Sequence, residues 1–355
     1  MPSVALSQVK LGDRIGQDVV TSLGGILFHK GRVVTPREYE ILQAFLISNV
    51  DIEPREETAD RSADPKASEN KESKPQNSLE AEYDKMFKLL KKIYSTNTSG
   101  FGLPILELRM QLEALLKHTK DYNILTFSPR IVSDDDYIFH NSVLCALTSY
   151  QLAQWNLFPH KDWIPVALAG LFHDIGNVRI DRSKLFKPTA LTPAEAEEMK
   201  SHTIQGYNLL KNVAAINEGV KLTALQHHEK IDGTGYPSGL AGDTIHPYAR
   251  IVAVADIFHA MTLQRVYRKA ISPYLVLETL QKESFGKLDP LYVRAFIEKV
   301  TQFHNGTVVR LSDNRIGEIV FSDRNHPTRP WVSVNGTIIN LTTTHQLHIE
   351  SIIQR

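Results

Sequence analysis

Residues 226–237 read Gln-His-His-Glu-Lys-Ile-Asp-Gly-Thr-Gly-Tyr-Pro, and this run constrains the fold more than any other stretch. Adjacent ring nitrogens at a helix end can reach neighbouring cations, and Gly233 and Gly235 let the backbone bend away without a side-chain clash. A paired histidine alone proves little. Its weight comes from its surroundings, where apolar residues recur at helical spacing from residue 79 to about residue 304. Met86, Leu89, Leu90 and Ile93 form one such stripe, Leu168, Leu171 and Phe172 a second, and Ile251, Val254, Ala255 and Phe258 a third. The middle of the chain is therefore expected to be an all-α bundle. Its helix starts are marked by Ser133 before Asp134-Asp135-Asp136, by Thr192-Pro193, and by Ser272-Pro273, which combine N-cap hydroxyls with acidic first turns or proline at the first helical position.

The flanks differ from this bundle. Residues 1–54 mix short β-branched runs with Gly turns, followed by a helical pattern from Pro36 whose Tyr39, Leu42 and Leu46 share one face. This stretch reads as a small α+β unit. Residues 55–78 are rich in Glu, Asp, Lys, Ser, Asn and Pro and nearly lack large apolar side chains, so they read as a flexible linker. Residues 305–355 alternate apolar and polar side chains, with a turn expected at Asn335-Gly336, and read as a small β unit. The expected architecture is thus multi-domain, a central helical bundle over 79–304 between two small end units.

Lys+Arg 40 balance Asp+Glu 40, so no bulk field draws the chain toward duplex nucleic acid or a membrane surface. Any anion site must be a local cluster. Cys145 is the one cysteine, which excludes an intramolecular disulfide and a thiolate zinc cage and leaves His and carboxylate as ligands. With no apolar run long enough for a bilayer and no basic-then-apolar leader after Met1, a reduced cytoplasm is the expected location.

Candidate ligands fall on several segments of the bundle: Asp136 with His140 one turn later, His173 with Asp174, His202, His227 with His228, and Asp256. Among 14 histidines most are ordinary surface or core groups, and His118, His160, His246, His259, His326, His345 and His348 are assigned there. For the joint set that explanation fails, because burying so many ionisable groups without a cation is costly.

The ordered pattern resembles the HD-GYP family, a branch of the HD-domain metal-dependent phosphohydrolases. The likeness runs from about Tyr137 to Thr301. It rests on Leu171-Phe172-His173-Asp174-Ile175-Gly176, Met199-Lys200-Ser201-His202, the run from His227 to Pro237, Ala249-Arg250-Ile251-Val252-Ala253-Val254-Ala255-Asp256, and Arg265-Val266-Tyr267-Arg268. The resemblance implies hydrolysis of cyclic di-GMP to linear pGpG and GMP by a helical domain holding two or three divalent ions, iron or else manganese. It implies His140, His173, Asp174, His202, His227, His228 and Asp256 as ligands, with Asp136 where the family often has Glu. Asp174 and His173 carry the catalytic centre, and Arg265, Arg268 and Tyr236 are the implied substrate contacts. Implied partners are cyclic di-GMP and a GGDEF-type diguanylate cyclase, while the oligomeric state stays open, a homodimer included.

Besides Asp136, one departure from the family pattern matters most. Asn177 stands where the family continues with Lys, which removes a cation from the place where charge develops, unless Arg179, Arg182 or Lys184 replaces it. Two functions follow as expectations: a metal-dependent phosphodiesterase, or a degenerate receptor that binds cyclic di-GMP, or a partner enzyme, with little turnover. Hydrolysis of another cyclic dinucleotide is a third, since nothing in the sequence reads a base edge.

Overall fold

The computed structural model describes residues 3–20, 26–53, 78–96, 103–129, 131, 133–187, 189–264, 270–302 and 306–354. Nearly all of the expected linker, and both Arg265 and Arg268, lie outside the described residues. The chain divides into two compact units, residues 76–300 and a second unit built from residues 1–75 with 301–355.

In the second unit, strands β1 (Ser3–Ala5) and β4 (Asn49–Asp51) pair antiparallel, as do β2 (Val19–Val20) and β3 (Ile26–Phe28). Helix α1 (Pro36–Ala44) opens on a capping box between Thr35 and Glu38, with Pro36 in the first turn. A five-stranded antiparallel sheet of order β8-β7-β6-β5-β9 follows, from β5 (Val308–Leu311), β6 (Ile316–Phe321), β7 (Trp331–Val334), β8 (Thr337–Asn340) and β9 (Ile349–Gln354). Asn335 and Gly336 both take positive φ, 50° and 80°, as the two-residue β7–β8 hairpin requires.

Two expectations change here. The sequence predicts separate units at the two ends of the chain, yet Val308 and Ile316 join Ile15, Leu27, Phe28, Ile41 and Leu42 in one hydrophobic cluster. Ribbons of two short strands bury too little surface to stand alone, so the N-terminal segment completes its core with the C-terminal sheet. Leu46 is not on the buried face of α1. The helix stops at Ala44, and Leu46 takes a left-handed φ of 54° with its side chain 73% exposed.

The helical unit runs α2 (Ser78–Thr96), α3 (Ile105–Leu116), α4 (Tyr137–Trp155), α5 (His160–Phe172), α6 (Arg182–Leu185), α7 (Pro193–Lys200), α8 (His202–Leu210), α9 (Glu218–Gln226), α10 (Pro247–Thr262), α11 (Pro273–Glu283) and α12 (Pro290–Val300). Helix α4 is the hub. Its buried residues run almost without interruption from Ile138 to Ser149, because it packs on α2, α5, α10 and α12. The expected starts at Thr192 and Ser272 are present as side-chain caps, Thr192 accepting from the Glu195 N–H and Ser272 from the Tyr274 N–H. The Asp134–Asp136 stretch instead forms a short 3-10 turn, and α4 begins at Tyr137.

Candidate metal centre

The cluster is assembled where helices end. Helix α5 stops at Phe172, so His173 caps it and Asp174 opens a tight 3-10 turn over residues 175–179. Gly176 makes this turn fit, since a Cβ there would lie 1.8 Å from the His202 carbonyl oxygen. The close approach brings Asp174 up to the first residue of α8. Helix α9 ends at Gln226, which presents His227 and His228 side by side, and α10 carries Asp256 in its middle.

Each of three histidines uses one ring nitrogen to fix its orientation. The Nδ1 of His173 donates to the Gly170 carbonyl at 2.8 Å, that of His202 to Met199 at 2.6 Å, and that of His227 to Thr223 at 3.1 Å. A carbonyl only accepts, so all three rings carry hydrogen on Nδ1 and turn Nε2 inward. There they meet carboxylate oxygens: His202 and His227 lie 3.2 and 3.5 Å from Asp174 Oδ1, and His173 lies 3.5 Å from Asp174 Oδ2 and 3.4 Å from Asp256 Oδ1. The His202 and His227 Nε2 atoms are 3.3 Å apart.

Such an arrangement sets lone pairs against lone pairs. Only a proton or a metal cation relieves it. Burial opposes a charge on His173, yet Asp174 and Asp256 outweigh burial and lift its pKa to about 9. Burial likewise disfavours ionised Asp174, but His173 and, when they are protonated and donate from Nε2, His202 and His227 hold its carboxyl well below the usual range. His228 is pushed down by burial and by His227 beside it, and so is poised as a neutral ligand. The fully buried His173 Nε2 has no well-formed hydrogen bond. With the nitrogen and oxygen donors of His202, His227, His228 and Asp174 within 4.8 Å of one another, the residues fit a divalent ion.

Helix α4 departs from expectation. His140 is not among the donors grouped around Asp174: its Nδ1 meets the Tyr83 hydroxyl at 2.9 Å, its ring stacks on Phe87 at 4.3 Å, and its Nε2 is buried without a partner. Burial pulls its pKa down to about 4, so it is a neutral core histidine. Asp136 is engaged by Lys91 at 2.5 Å. Asn141 of α4 reaches the cluster, its amide donating to Asp256 Oδ1 at 2.8 Å. Cys145, one turn along α4, has its sulfur within 4.8 Å of donor atoms of His173 and Asp256.

Residues 229–241 fold back over His228. Buried Glu229 accepts from the N–H groups of Ser238 and Leu240 at 2.7 and 3.0 Å, a role that sequence reading did not assign. A Cβ on Gly235 would fall 2.4 Å from the Glu229 Cα, so Gly235 is needed for close approach and Gly233, at φ 78°, for the turn. Tyr236 then lies against His228 with ring centroids 4.7 Å apart. A cavity of about 720 Å³ opens above Asp174, His202, His228 and Asp256. Tyr137, Phe186 and Met199 give it an apolar wall, and Lys187 and Lys200 also line it. Lys200 stands over the Tyr236 ring, 5.6 Å from its centroid. Asn177 also borders the cavity, with its Oδ1 buried and unpartnered. The cations named as replacements for the missing lysine are elsewhere: Arg182 pairs with Asp135, Lys184 with Glu198, and Arg179 is exposed.

An HD-domain family model matches residues 109–291, more than half of the chain. The chain belongs to the HD-GYP family. It is 33% identical over 207 residues to a cyclic di-GMP phosphodiesterase of Pseudomonas aeruginosa, covering 58% of this chain and 49% of that protein. It is 29% identical over 167 residues to a 3'3'-cGAMP-specific phosphodiesterase of Vibrio cholerae, covering 47% and 36%. The chain thus spans half or less of the length of these two curated relatives. Among solved structures, Bd1817, an HDG"Y"P protein from Bdellovibrio bacteriovorus, aligns with a TM-score of 0.47 at 16% identity, over 83% of this chain and 97% of that one. No described helix is long and apolar enough to cross a membrane.

Proposed function

We propose that the helical unit is a metal-dependent phosphodiesterase that hydrolyses cyclic di-GMP. The observation that carries this reading is the placement of Asp174, with one oxygen turned to His202 and His227 and the other to His173. A carboxylate so placed is suited to bridge two ions, with His202, His227 and His228 on one side and His173 and Asp256 on the other. Iron or manganese suits these nitrogen and oxygen donors and, when bound, supplies Lewis acidity at a phosphoryl oxygen and acidifies water to near neutral pH.

The chain's own groups hold and orient the substrate. Tyr236, fixed on His228, and the apolar wall offer flat surfaces to the guanine bases, while Lys200 at the cavity wall meets phosphate oxygens; Lys187 lines the cavity too but is held by Glu195. Arg265 and Arg268 are proposed as further phosphate contacts. Attack of water on phosphorus breaks one P–O bond and yields linear pGpG, and a second hydrolysis yields GMP. Cyclic di-GMP is favoured because relatives carrying its name include the 33% identical one, while the cGAMP-specific relative makes 3'3'-cGAMP the comparison substrate.

The receptor reading retains one specific support, Asn177, which brings no charge to the cavity. Protein purified without oxygen and incubated with iron or manganese and each dinucleotide separates the readings. Formation of pGpG supports the enzyme; tight binding of cyclic di-GMP without product in any metal supports the receptor.

A further inference from the structure

Asn177 is 6% exposed, lies on the wall of the cavity and keeps its Oδ1 buried without a hydrogen-bond partner. A buried amide left unmet by the folded chain is costly, and a group brought into the cavity can meet it. The turn that carries Asn177 holds it beside Asp174. Residues 175–179 form a 3-10 turn with Asp174 at its cap, and three residues per turn bring the side chains of positions i and i+3 nearly above one another. Asn177 is the third residue after Asp174, and its N–H donates to the Asp174 carbonyl at 3.0 Å. The Tyr94 hydroxyl donates to the same carbonyl at 3.1 Å and pins the turn from α2. The amide is thus presented along the same edge as the Asp174 carboxylate.

Charged groups of the cavity suit phosphate oxygens, whereas Asn177 suits a neutral partner. An amide carries both an acceptor and a donor, and so does a hydroxyl, which can therefore bond to Asn177 whichever way the amide is turned. In a cyclic dinucleotide the hydroxyl nearest the phosphorus is the ribose 2'-OH, on the carbon next to the one whose oxygen joins the phosphate. A phosphate held over Asp174 brings that hydroxyl to the neighbouring wall, where Asn177 stands. We propose that Asn177 is a specificity-determining contact that reads the 2'-hydroxyl beside the phosphate and selects ribose over deoxyribose cyclic dinucleotides. The proposal rests on the reading of the cavity as a cyclic dinucleotide site. It concerns the sugar and not the base, so it holds equally for cyclic di-GMP and for 3'3'-cGAMP.

Full-length Mn²⁺-loaded protein is compared on cyclic di-GMP and its bis(2'-deoxy) analogue, by the dissociation constant from the fast binding phase and, where product forms, by kcat/KM. The wild type should favour the ribose form by about tenfold or more, the effect of one hydrogen bond lost to a buried partner. In Asn177→Ala that ratio should fall toward one, chiefly through the ribose form, with metal content per chain unchanged. Asn177→Leu, of similar shape but without a polar atom, should do the same and covers the case in which the Ala variant does not fold. A wild-type ratio near one overturns the proposal. So does a ratio that survives in both variants, since equal losses on the two ligands would place the amide on a phosphate oxygen. If neither ligand binds the metal-loaded wild type, the cyclic dinucleotide reading falls and the contact with it. Binding of the ribose form without product, with the ratio lost in the variants, keeps the contact and removes only the assigned reaction.

Discussion

Asp174 Oδ1 lies 3.2 Å from His202 Nε2, a carboxylate facing a ring nitrogen whose partner Nδ1 is already committed to the Met199 carbonyl. The contact is favourable only with a proton or a metal ion between or beside the two atoms, and a bound metal displaces the proton. Asp174→Asn should therefore lose most bound metal while keeping its helical circular dichroism. In the wild type, metal at about 100 times its dissociation constant should raise the unfolding free energy by about 2.7 kcal/mol. Denaturant unfolding with and without Mn²⁺ checks this, and an equal gain in the Asn variant would deny Asp174 its bridging place.

The acid response of the fold turns on a different pair of histidines. Burial lowers the pKa of His140 to about 4 and that of His259 to about 3, well under the ordinary value of 6.5. Below pH 6.5 the unfolded chain binds protons that the folded chain refuses, so stability is complete above that pH. It is lost as pH falls toward those folded values. At pH 5 each group costs about 2 kcal/mol. His140→Gln should narrow the difference in unfolding free energy between pH 7 and pH 5 by about that amount. An unchanged difference would mean that His140 is not held neutral.

How far the sequence revealed this site depended on the helix that carried each residue. His173, Asp174, His202, His227 and His228 fall at helix ends, where a polar residue after an apolar run announces itself, and the structure brings them together with Asp256. Helix α4 is buried on nearly every side, so its apolar pattern has no phase from which to tell whether His140 or Asn141 faces the cluster. The pairing of Asp136 with Lys91 and the joining of the chain ends through Val308 and Ile316 are long-range contacts that local periodicity does not encode. The same holds for the loop bonds of Glu229, since a carboxylate beside two histidines looks like a ligand or a surface group until its partners are seen.

Replacing Arg265 and Arg268 by Ala should weaken cyclic di-GMP binding by about 1–3 kcal/mol per contact without changing metal content. Calorimetric titration alongside metal analysis checks both halves. Undiminished affinity in the double variant would deny the two arginines a phosphate contact.

Cation placement at the phosphate gives the last test. Lys200 lines the cavity over Tyr236 although it also pairs with Glu197, whereas Lys184, paired with Glu198, does not line it, so Lys200→Ala should lower turnover or affinity and Lys184→Ala should change neither by more than about twofold. Asn177→Lys puts a charge on the cavity wall beside Asp174. If a missing cation limits the reaction, turnover should rise by about tenfold, equivalent to 1.36 kcal/mol of barrier. Initial rates of pGpG formation at saturating metal decide between outcomes. A brisk wild type that Asn177→Lys does not improve, together with a Lys200→Ala variant that fails, would assign the charge to Lys200. A wild type that binds metal and cyclic di-GMP yet gains no activity from the substitution would make the receptor reading the better account of this chain.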